Sequence, residues 1–402
     1  MKNKLITPEG TRDYLFEEAA ARNFVAKQVG QVFSCRGFVE VQTPGIEFLD
    51  VFTDSNAGMP VEYMYKLVDA KGRLMAVRPD STMPIARLCA TRLQQESLPL
   101  RLYYKQSIFL AEPVMRGRSD QVLQMGVEYI GGKGFAADLD ILTAAVDTLS
   151  TLGVGRFEIG HIGIFNALMD GMRLNAGQRE QVRTLIEAKN YPALNDLLDR
   201  VGRNAFSDAM KQLPRLFGDE RVFAKAKALF TDEVTLGELD YLERLYRTLV
   251  EILPDADIKV DLGLVNRNDY YTGIVFRGYL EGIGREVLTG GRYDHLLESF
   301  GRTAPAVGFA VNIDAAAQYL CRRNGVSVAK PQLLIHGEPG YEVETFRRQR
   351  EQIAQGIICE VSAFETEGEA LAYAKANRIG RILYVGAAGC REAMVPVMPE
   401  NA

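Results

Sequence analysis

Apolar residues recur every three or four positions between Glu17 and Arg36. Phe24, Val25, Val29, Val32 and Phe33 fall on one stripe, which predicts an amphipathic helix. The pattern then turns extended through GFVEVQTPGIE (37–47), with a stop at Pro44. Residues 73–80, 100–110 and 121–131 read as strands bounded by turn or polar residues. A helix is expected at about 138–152, and alternation returns over 155–164. From 166 to 254 the chain is rich in Leu, Ala and charged residues and poor in β-branched ones, which predicts several short helices. Strand signals resume at 258–263, 270–280 and 285–289. TGGRYD (289–294) reads as a glycine-rich turn into a helix HLLESF, followed by a strand at 306–313 and a helix to about 324. GVSVAKP (325–331) reads as a linker. Beyond it, QLLIHG, FRRQREQIAQ, ICEVSAF, EALAYAKAN and RILYVG alternate strand and helix, the rhythm of a small α/β unit. The last residues carry no pattern and are expected to be disordered.

This order predicts an α+β chain in three parts: a core at 1–165 and 255–325, a helical insertion at 166–254, and a C-terminal unit at 326–402. Its 402 residues, 47% hydrophobic and 25% charged, suit two or three globular domains. A net charge of −5 gives no general attraction for nucleic acid, and no basic run with interleaved aromatics occurs. No apolar run approaches the ~20 residues of a membrane span, and the N-terminal lysines precede no apolar stretch. A cytoplasmic protein without membrane contact is expected. Cys35, Cys89, Cys321, Cys359 and Cys390 are dispersed, as reduced thiols would be. His161, His295 and His336 stand far apart, so no metal site is expected. No P-loop, H-E-x-x-H or G-x-S-x-G motif is present, and no cofactor is expected.

Three segments carry candidate chemistry. If QVLQMGVEYIG (121–131) is one strand, Val122, Gln124, Gly126, Glu128 and Ile130 share a face, while Leu123, Met125, Val127 and Tyr129 face a core. Gln124 and Glu128 then stand roughly 13 Å apart at their Cα atoms, with bare Gly126 between them. Such a floor suits a small polar molecule lying on the sheet, although an ordinary half-exposed strand has the same pattern. DYYTGIVF (269–276) offers paired tyrosines, either an aromatic wall or plain core residues. RPDSTMPIAR (78–87) places Arg78, Asp80 and Thr82 after a strand; Pro79 holds Arg78 extended, and Asp80 or Ser81 equally suits a helix cap.

Taken together the segments resemble the class II histidyl-tRNA synthetase family over about residues 1–325. GFVEVQTPGIE is similar to motif 1, which in that family forms the dimer interface. RPDST is similar to Arg-Pro-Glu-x-Thr, and residues 103–131 to motif 2 and its following strand. LVNRNDYYTGIVF (264–276) resembles the histidine-recognition segment Leu-Val-Arg-Gly-Leu-Asp-Tyr-Tyr-Thr-Gly. GGRYDHL (290–296) resembles Gly-Gly-Arg-Tyr-Asp-Gly-Leu, and PAVGFAVNIDAA (305–316) resembles motif 3. The resemblance implies an antiparallel sheet flanked by helices. It also implies histidine contacts at Asp80, Thr82, Arg118, Gln124, Glu128, Tyr270 and Tyr271.

The departures are selective. Adenylate formation needs fixed positive charge around the ATP phosphates, which the family supplies with arginines. Those positions here hold Leu110 in motif 2, Asn266 in the Leu-Val-Arg segment and Ala315 in motif 3; Asp120 replaces a further arginine. Each lost donor of this kind costs ~3 kcal/mol of transition-state stabilisation. Arg116 and Arg267 lie near the lost positions, but one step along an extended chain reverses a side chain's direction. Residues 332–402 are shorter than the family's anticodon-binding domain and lack a basic face, so no tRNA partner is expected. A synthetase-like chain without these arginines resembles the regulatory-subunit paralogues of ATP phosphoribosyltransferase. That resemblance implies no catalytic residues, a homodimer formed through motif 1, assembly with a short-form ATP phosphoribosyltransferase catalytic subunit, and histidine as effector.

Overall fold

The computed structural model describes residues 3–53, 59–111, 119–265, 270–323 and 325–396. The chain divides into two compact units, Met1–Val326 and Ser327–Ala402.

The first unit begins with α1 (Phe16–Cys35), β1 (Val39–Glu40), β2 (Ile46–Phe48), α2 (Asp50–Thr53), β3 (Lys66–Val68) and β4 (Leu74–Val77). Then come α3 (Thr82–Ala90), β5 (Leu100–Phe109), β6 (Gln121–Ile130), α4 (Gly134–Leu152) and β7 (Gly155–His161). A mainly helical stretch follows: α5 (Ile162–Gly171), α6 (Ala176–Glu187), α7 (Tyr191–Val201), α8 (Ala205–Gln212), the short β8 (Phe217–Gly218), α9 (Arg221–Leu229) and α10 (Glu233–Ile252). The unit closes with β9 (Asp257–Asp261), β10 (Ile274–Leu280), β11 (Glu286–Arg292), β12 (Ala306–Asn312) and α11 (Ile313–Arg323). Local chemistry explains the starts of α6, α7, α8 and α10. Asn175, Asn190, Asn204 and Asp232 each accept a hydrogen bond from the backbone N–H three residues on.

The main sheet runs β1-β5-β6-β12-β11-β10-β7-β9-β8. Its centre is antiparallel, but β1 lies parallel to β5 and β7 parallel to β9, so the sheet is mixed rather than wholly antiparallel. The β7–β9 connection is the long helical stretch, and a crossover of that length is what parallel neighbours require. One face of the sheet is closed by α1, α4 and α11. Met125 and Val127 of β6 join Val25, Val29, Phe33, Ile141 and Phe309 in that core. Phe33 meets Phe309 edge-on at 5.6 Å between centroids, and burying such a ring contributes roughly 1.5–3 kcal/mol. Phe24 does not belong to the stripe and is exposed, because the buried line of α1 runs through Ala21, Val25, Ala26, Val29 and Phe33. Small alanines there let the helix approach closely.

Other boundaries moved for identifiable reasons. The strand expected over 73–80 ends at Val77, before Arg78-Pro79. The strand expected over 270–280 starts at Ile274, so Tyr270 and Tyr271 precede it. TGGRYD is no turn: β11 continues through Gly290 and Gly291 to Arg292. A Cβ on Gly290 would lie 2.5 Å from Phe309 Cβ, so the glycines serve close strand packing. HLLESF forms a 3-10 helix, Leu296–Phe300.

Strands β2, β4 and β3 make a separate small antiparallel sheet. The second unit holds β13 (Leu333–Gly337), α12 (Glu342–Ala354), β14 (Cys359–Val361), α13 (Glu367–Ala376), β15 (Arg381–Gly386) and β16 (Gly389–Met394), with sheet order β14-β13-β15-β16. The patternless end thus contains a strand. β16 is an edge strand with almost every residue exposed, so it has no buried face to impose alternation. Among the described residues no helix is long and apolar enough to cross a membrane.

Candidate functional site

The face of the main sheet opposite α1 carries the candidate residues, and register decides which of them meet. Glu128 of β6 stands beside Leu102 on β5 and Gly308 on β12, and Gly308 stands beside Gly291 on β11. Two residues along, Tyr104, Gly126, Ala310 and Thr289 form the next row. Small residues line the middle of both rows, and larger neighbours lean over them. A Cβ on Gly308 would lie 2.3 Å from Glu128 Oε2, and one on Gly291 would lie 2.6 Å from Tyr271 Cδ1. Gly126 is not the bare floor expected between Gln124 and Glu128. The Tyr104 ring covers it, with its hydroxyl oxygen 2.5 Å from where a Cβ would sit.

Glu128 is 2% exposed and is held from two sides. Thr82, the first residue of α3, donates its hydroxyl to Oε1 at 2.8 Å, and the Tyr293 hydroxyl donates to Oε2. Burial pushes the Glu128 carboxyl up to about 8, against the opposing effect of these two hydrogen bonds. Gln124 accepts from the Tyr104 hydroxyl at 3.0 Å. Tyr270 and Tyr271 lie tilted against each other with centroids 4.8 Å apart, and Tyr270 meets Tyr293 edge-on at 5.6 Å. Burial raises the phenols of Tyr104, Tyr270 and Tyr293 well above their ordinary value, so they are hydroxyl donors at neutral pH.

Asp80 accepts from the Met83 N–H at 2.9 Å, which makes it a cap of α3. It keeps some open surface but is ringed by protein, and burial raises its carboxyl above the usual range. Arg78 is taken up by the chain around it. It is buried and donates to the carbonyls of Thr43 (3.0 Å), Pro44 (2.9 Å) and Ser107 (2.8 Å) and to Gln106 Oε1 (2.9 Å). Its role is to fasten the 43–44 bend to β5.

The structure therefore brings Thr82, Gln124, Glu128, Tyr270 and Tyr271 into one aromatic-walled group, with Asp80 at the head of α3 beside it. Arg118 lies outside the described residues, as do Arg116, Asn266 and Arg267. Tyr104 and Tyr293 are the residues that sequence reasoning missed. Each touches a predicted site residue, but only strand register reveals it.

Leu110 follows β5 at a small cavity of about 230 Å³ that Gln124, Thr289, Ala310, Asn312 and Arg285 also line. Ala315 is fully buried in α11, its N–H bound to Asn312 Oδ1 at 2.9 Å. Its neighbour Asp314 pairs with Arg22 at 2.5 Å and accepts from the Leu123 N–H at 2.9 Å. Asp120 accepts from the Tyr65 hydroxyl and packs over Gly10.

Comparison with known proteins bears on these arrangements. The family model for histidyl-tRNA synthetase matches residues 10–316. The chain is 37% identical over 387 residues to an ATP phosphoribosyltransferase regulatory subunit of Clostridium botulinum strain Langeland, spanning 95% of this chain and 92% of that one. It is 33% identical to the Bacillus mycoides regulatory subunit over 94% of this chain and 91% of that one. Among solved structures, an ATP phosphoribosyltransferase regulatory subunit/histidyl-tRNA synthetase from Bacillus halodurans superposes with a TM-score of 0.84 at 27% identity, covering 96% of this chain and 99% of that one. The histidyl-tRNA synthetase of Nostoc sp. PCC 7120 shares the fold, with a TM-score of 0.76 at 19% identity over 97% of each chain. The chain belongs to the ATP phosphoribosyltransferase regulatory subunit family, built on the class II histidyl-tRNA synthetase fold.

Proposed function

We propose that this chain is a non-catalytic subunit that assembles with and activates short-form ATP phosphoribosyltransferase, at the first step of histidine biosynthesis, and takes part in histidine feedback. The observation that carries the reading is the asymmetry of the site. The group around Glu128 supplies carboxyls, hydroxyls, an amide and aromatic walls, the set an amino acid with an imidazole side chain requires. Asp80, Thr82, Arg118, Gln124, Glu128, Tyr270 and Tyr271 are its proposed histidine contacts. The positions where adenylate chemistry needs cations hold Leu110, Asn266 and Ala315. Ala315 is closed off in the core, and Leu110 brings only hydrocarbon to its cavity.

An effector bound at Glu128 regulates a partner if it favours one arrangement of the complex, and couplings of ~1–3 kcal/mol suffice for feedback. Self-association through the motif 1 region is supported by the small sheet. Its face bearing Ile46, Phe48 and Leu67 is exposed; on the opposite face Ala76 and Glu47 are buried, while Val68 and Leu74 at the strand ends are exposed.

The test is the ATP phosphoribosyl transfer rate of the same organism's catalytic subunit, with and without this chain, across a histidine titration. The rate is expected to rise on mixing and fall with histidine. Glu128→Gln is expected to preserve the rise and weaken the fall at least tenfold in histidine concentration. An unchanged rate with no co-elution of the two chains refutes the proposal.

A further inference from the structure

The group around Glu128 lacks one thing that a free amino acid needs. It offers carboxyls, hydroxyls, an amide and aromatic rings, but none of its described members is a cation. A carboxylate taken out of water without a positive partner is held poorly. Leu110 and Asn266 stand where two arginines were expected.

The small cavity of about 230 Å³ beside Gln124 holds a positive charge of its own. Gln124 on β6 stands directly beside Asn312 on β12, and Thr289 on β11 stands beside Ala310. Arg285, just before β11, lines the same cavity. It is half-buried and makes no hydrogen bond, ion pair or ring contact with any described residue. The other donors there are also uncommitted. Gln124 Oε1 accepts from the Tyr104 hydroxyl and Asn312 Oδ1 from the Ala315 N–H, so each amide has its NH2 end left to donate. Neither NH2 group nor the Thr289 hydroxyl has a partner among the described residues, and none of them is sealed off. Arg277 is a second cation on this face, opposite Thr289 on β10, but it is engaged. It donates to the Val265 carbonyl at 2.8 Å and lines a different cavity with Glu158 and Asp261.

Size and charge limit what fits. At about 230 Å³ the cavity is smaller than the ~300 Å³ at which pockets for whole small molecules begin, so it receives one end of a ligand. Among its described lining residues Arg285 is the one cation and Glu286 the one carboxylate. Such a lining cannot balance the second charge of a phosphate, and Glu286 makes it a poor trap for a free anion. A single carboxylate tethered to a molecule already seated at Glu128 arrives at high effective concentration and meets a guanidinium that can donate twice.

Resting on the reading of the Glu128 group as an amino-acid pocket, we propose that Arg285 anchors the α-carboxylate of the effector, with the NH2 groups of Gln124 and Asn312 as flanking donors. The ligand spans the two places: its side chain and ammonium lie among Glu128 and the tyrosines, and its carboxylate lies beyond Gln124. Arg285 falls outside every segment that resembles the synthetase family, so this charge is a separate provision of the chain. It makes the site select an amino acid over the matching amine.

The test compares histidine with histamine, which keeps the imidazole and the ammonium but has no carboxylate. Both are titrated by calorimetry into the full chain and into its complex with the catalytic subunit. The parent is expected to bind histidine at least tenfold more tightly than histamine. Arg285→Gln is expected to remove that difference by weakening histidine alone, and Arg285→Lys to restore part of it. Because Arg285 holds no contact in the fold, both variants are expected to melt as the parent does. If folded Arg285→Gln binds histidine as the parent does, or weakens both ligands equally, the assignment of Arg285 is overturned while the Glu128 pocket stands. If the parent binds neither ligand, alone or in complex, the amino-acid pocket itself is refuted, and the role of Arg285 with it.

Discussion

At the scale of single residues, the candidate pocket is made by absences as much as by side chains. Gly308 exists so that Glu128 can lie across β12. Gly308→Ala would place a methyl 2.3 Å from both Glu128 Oε2 and the Val127 carbonyl oxygen, and the backbone atom cannot swing away. Overpacking of this kind costs about 1–3 kcal/mol, so a drop of several degrees in Tm is expected by calorimetry. Glu128 itself leaves a pH signature. Its carboxyl titrates near 4.5 when unfolded and at about 8 when folded. Below 4.5 it is protonated in both states and burial carries no ionisation penalty. As pH rises from 4.5 to about 8 the unfolded state alone gains from ionisation, so stability is lost across that window and levels off above it. Glu128→Gln cannot titrate and escapes this loss, although its amide offers Thr82 and Tyr293 only one acceptor, a pH-independent cost. The difference in Tm, variant minus parent, is expected to grow more positive from pH 5 to pH 8 and then flatten. A difference independent of pH would show that Glu128 is not the buried acid described.

At the scale of elements, the small sheet is the feature with the clearest consequence. Strands β2, β3 and β4 leave Ile46, Phe48 and Leu67 on an outward face, with Phe48 already under the Arg73 guanidinium at 4.5 Å. The proposed self-association would use this face. Phe48→Glu or Leu67→Glu is expected to convert a dimer to monomers in sedimentation velocity without lowering the monomer's helix content. How much of this was legible beforehand varies with the source of order. The strand over 121–130 and its two faces could be read because Met125 and Val127 pack on the α1 side while Gln124 and Glu128 face the other way, even though residues of both faces are buried. β3 passed unnoticed because all three of its residues are exposed, and β16 for nearly the same reason. The glycine pair in TGGRYD suggested a turn because glycine serves both turns and tight strand packing, and only the neighbouring Phe309 decides between them. Within the pocket, residue types and faces were readable. The hydrogen bonds of Tyr104 and Tyr293 were not, because they depend on which strands become neighbours.

At the scale of the whole molecule, each unit carries its own interior. In Ser327–Ala402 one side of the sheet packs Leu334, Ile382 and Tyr384 against Ala370 and Ala374 of α13, and the other side gathers Leu333, Ile335, Leu383 and Val385. A piece of this size is marginal but has a core on both faces of its sheet. Expressed alone, residues 327–402 are expected to show a cooperative thermal transition by far-UV circular dichroism. A non-cooperative melt would mean that this unit depends on the rest of the chain.

The position of Ala315 also bears on how such a chain can change over generations. Its side chain is sealed on every side, in a helix whose neighbours have settled around a methyl group. Ala315→Arg would have to drive a guanidinium and three methylenes into a filled interior, with the attendant clash and the cost of an unpaired buried charge. A chain with this packing cannot acquire an arginine there by one substitution. Neighbouring residues would have to change first, with nothing to favour them until the arginine arrived. The interior thus closes position 315 to a cation, and any chemistry that needs one there has no single-step way in.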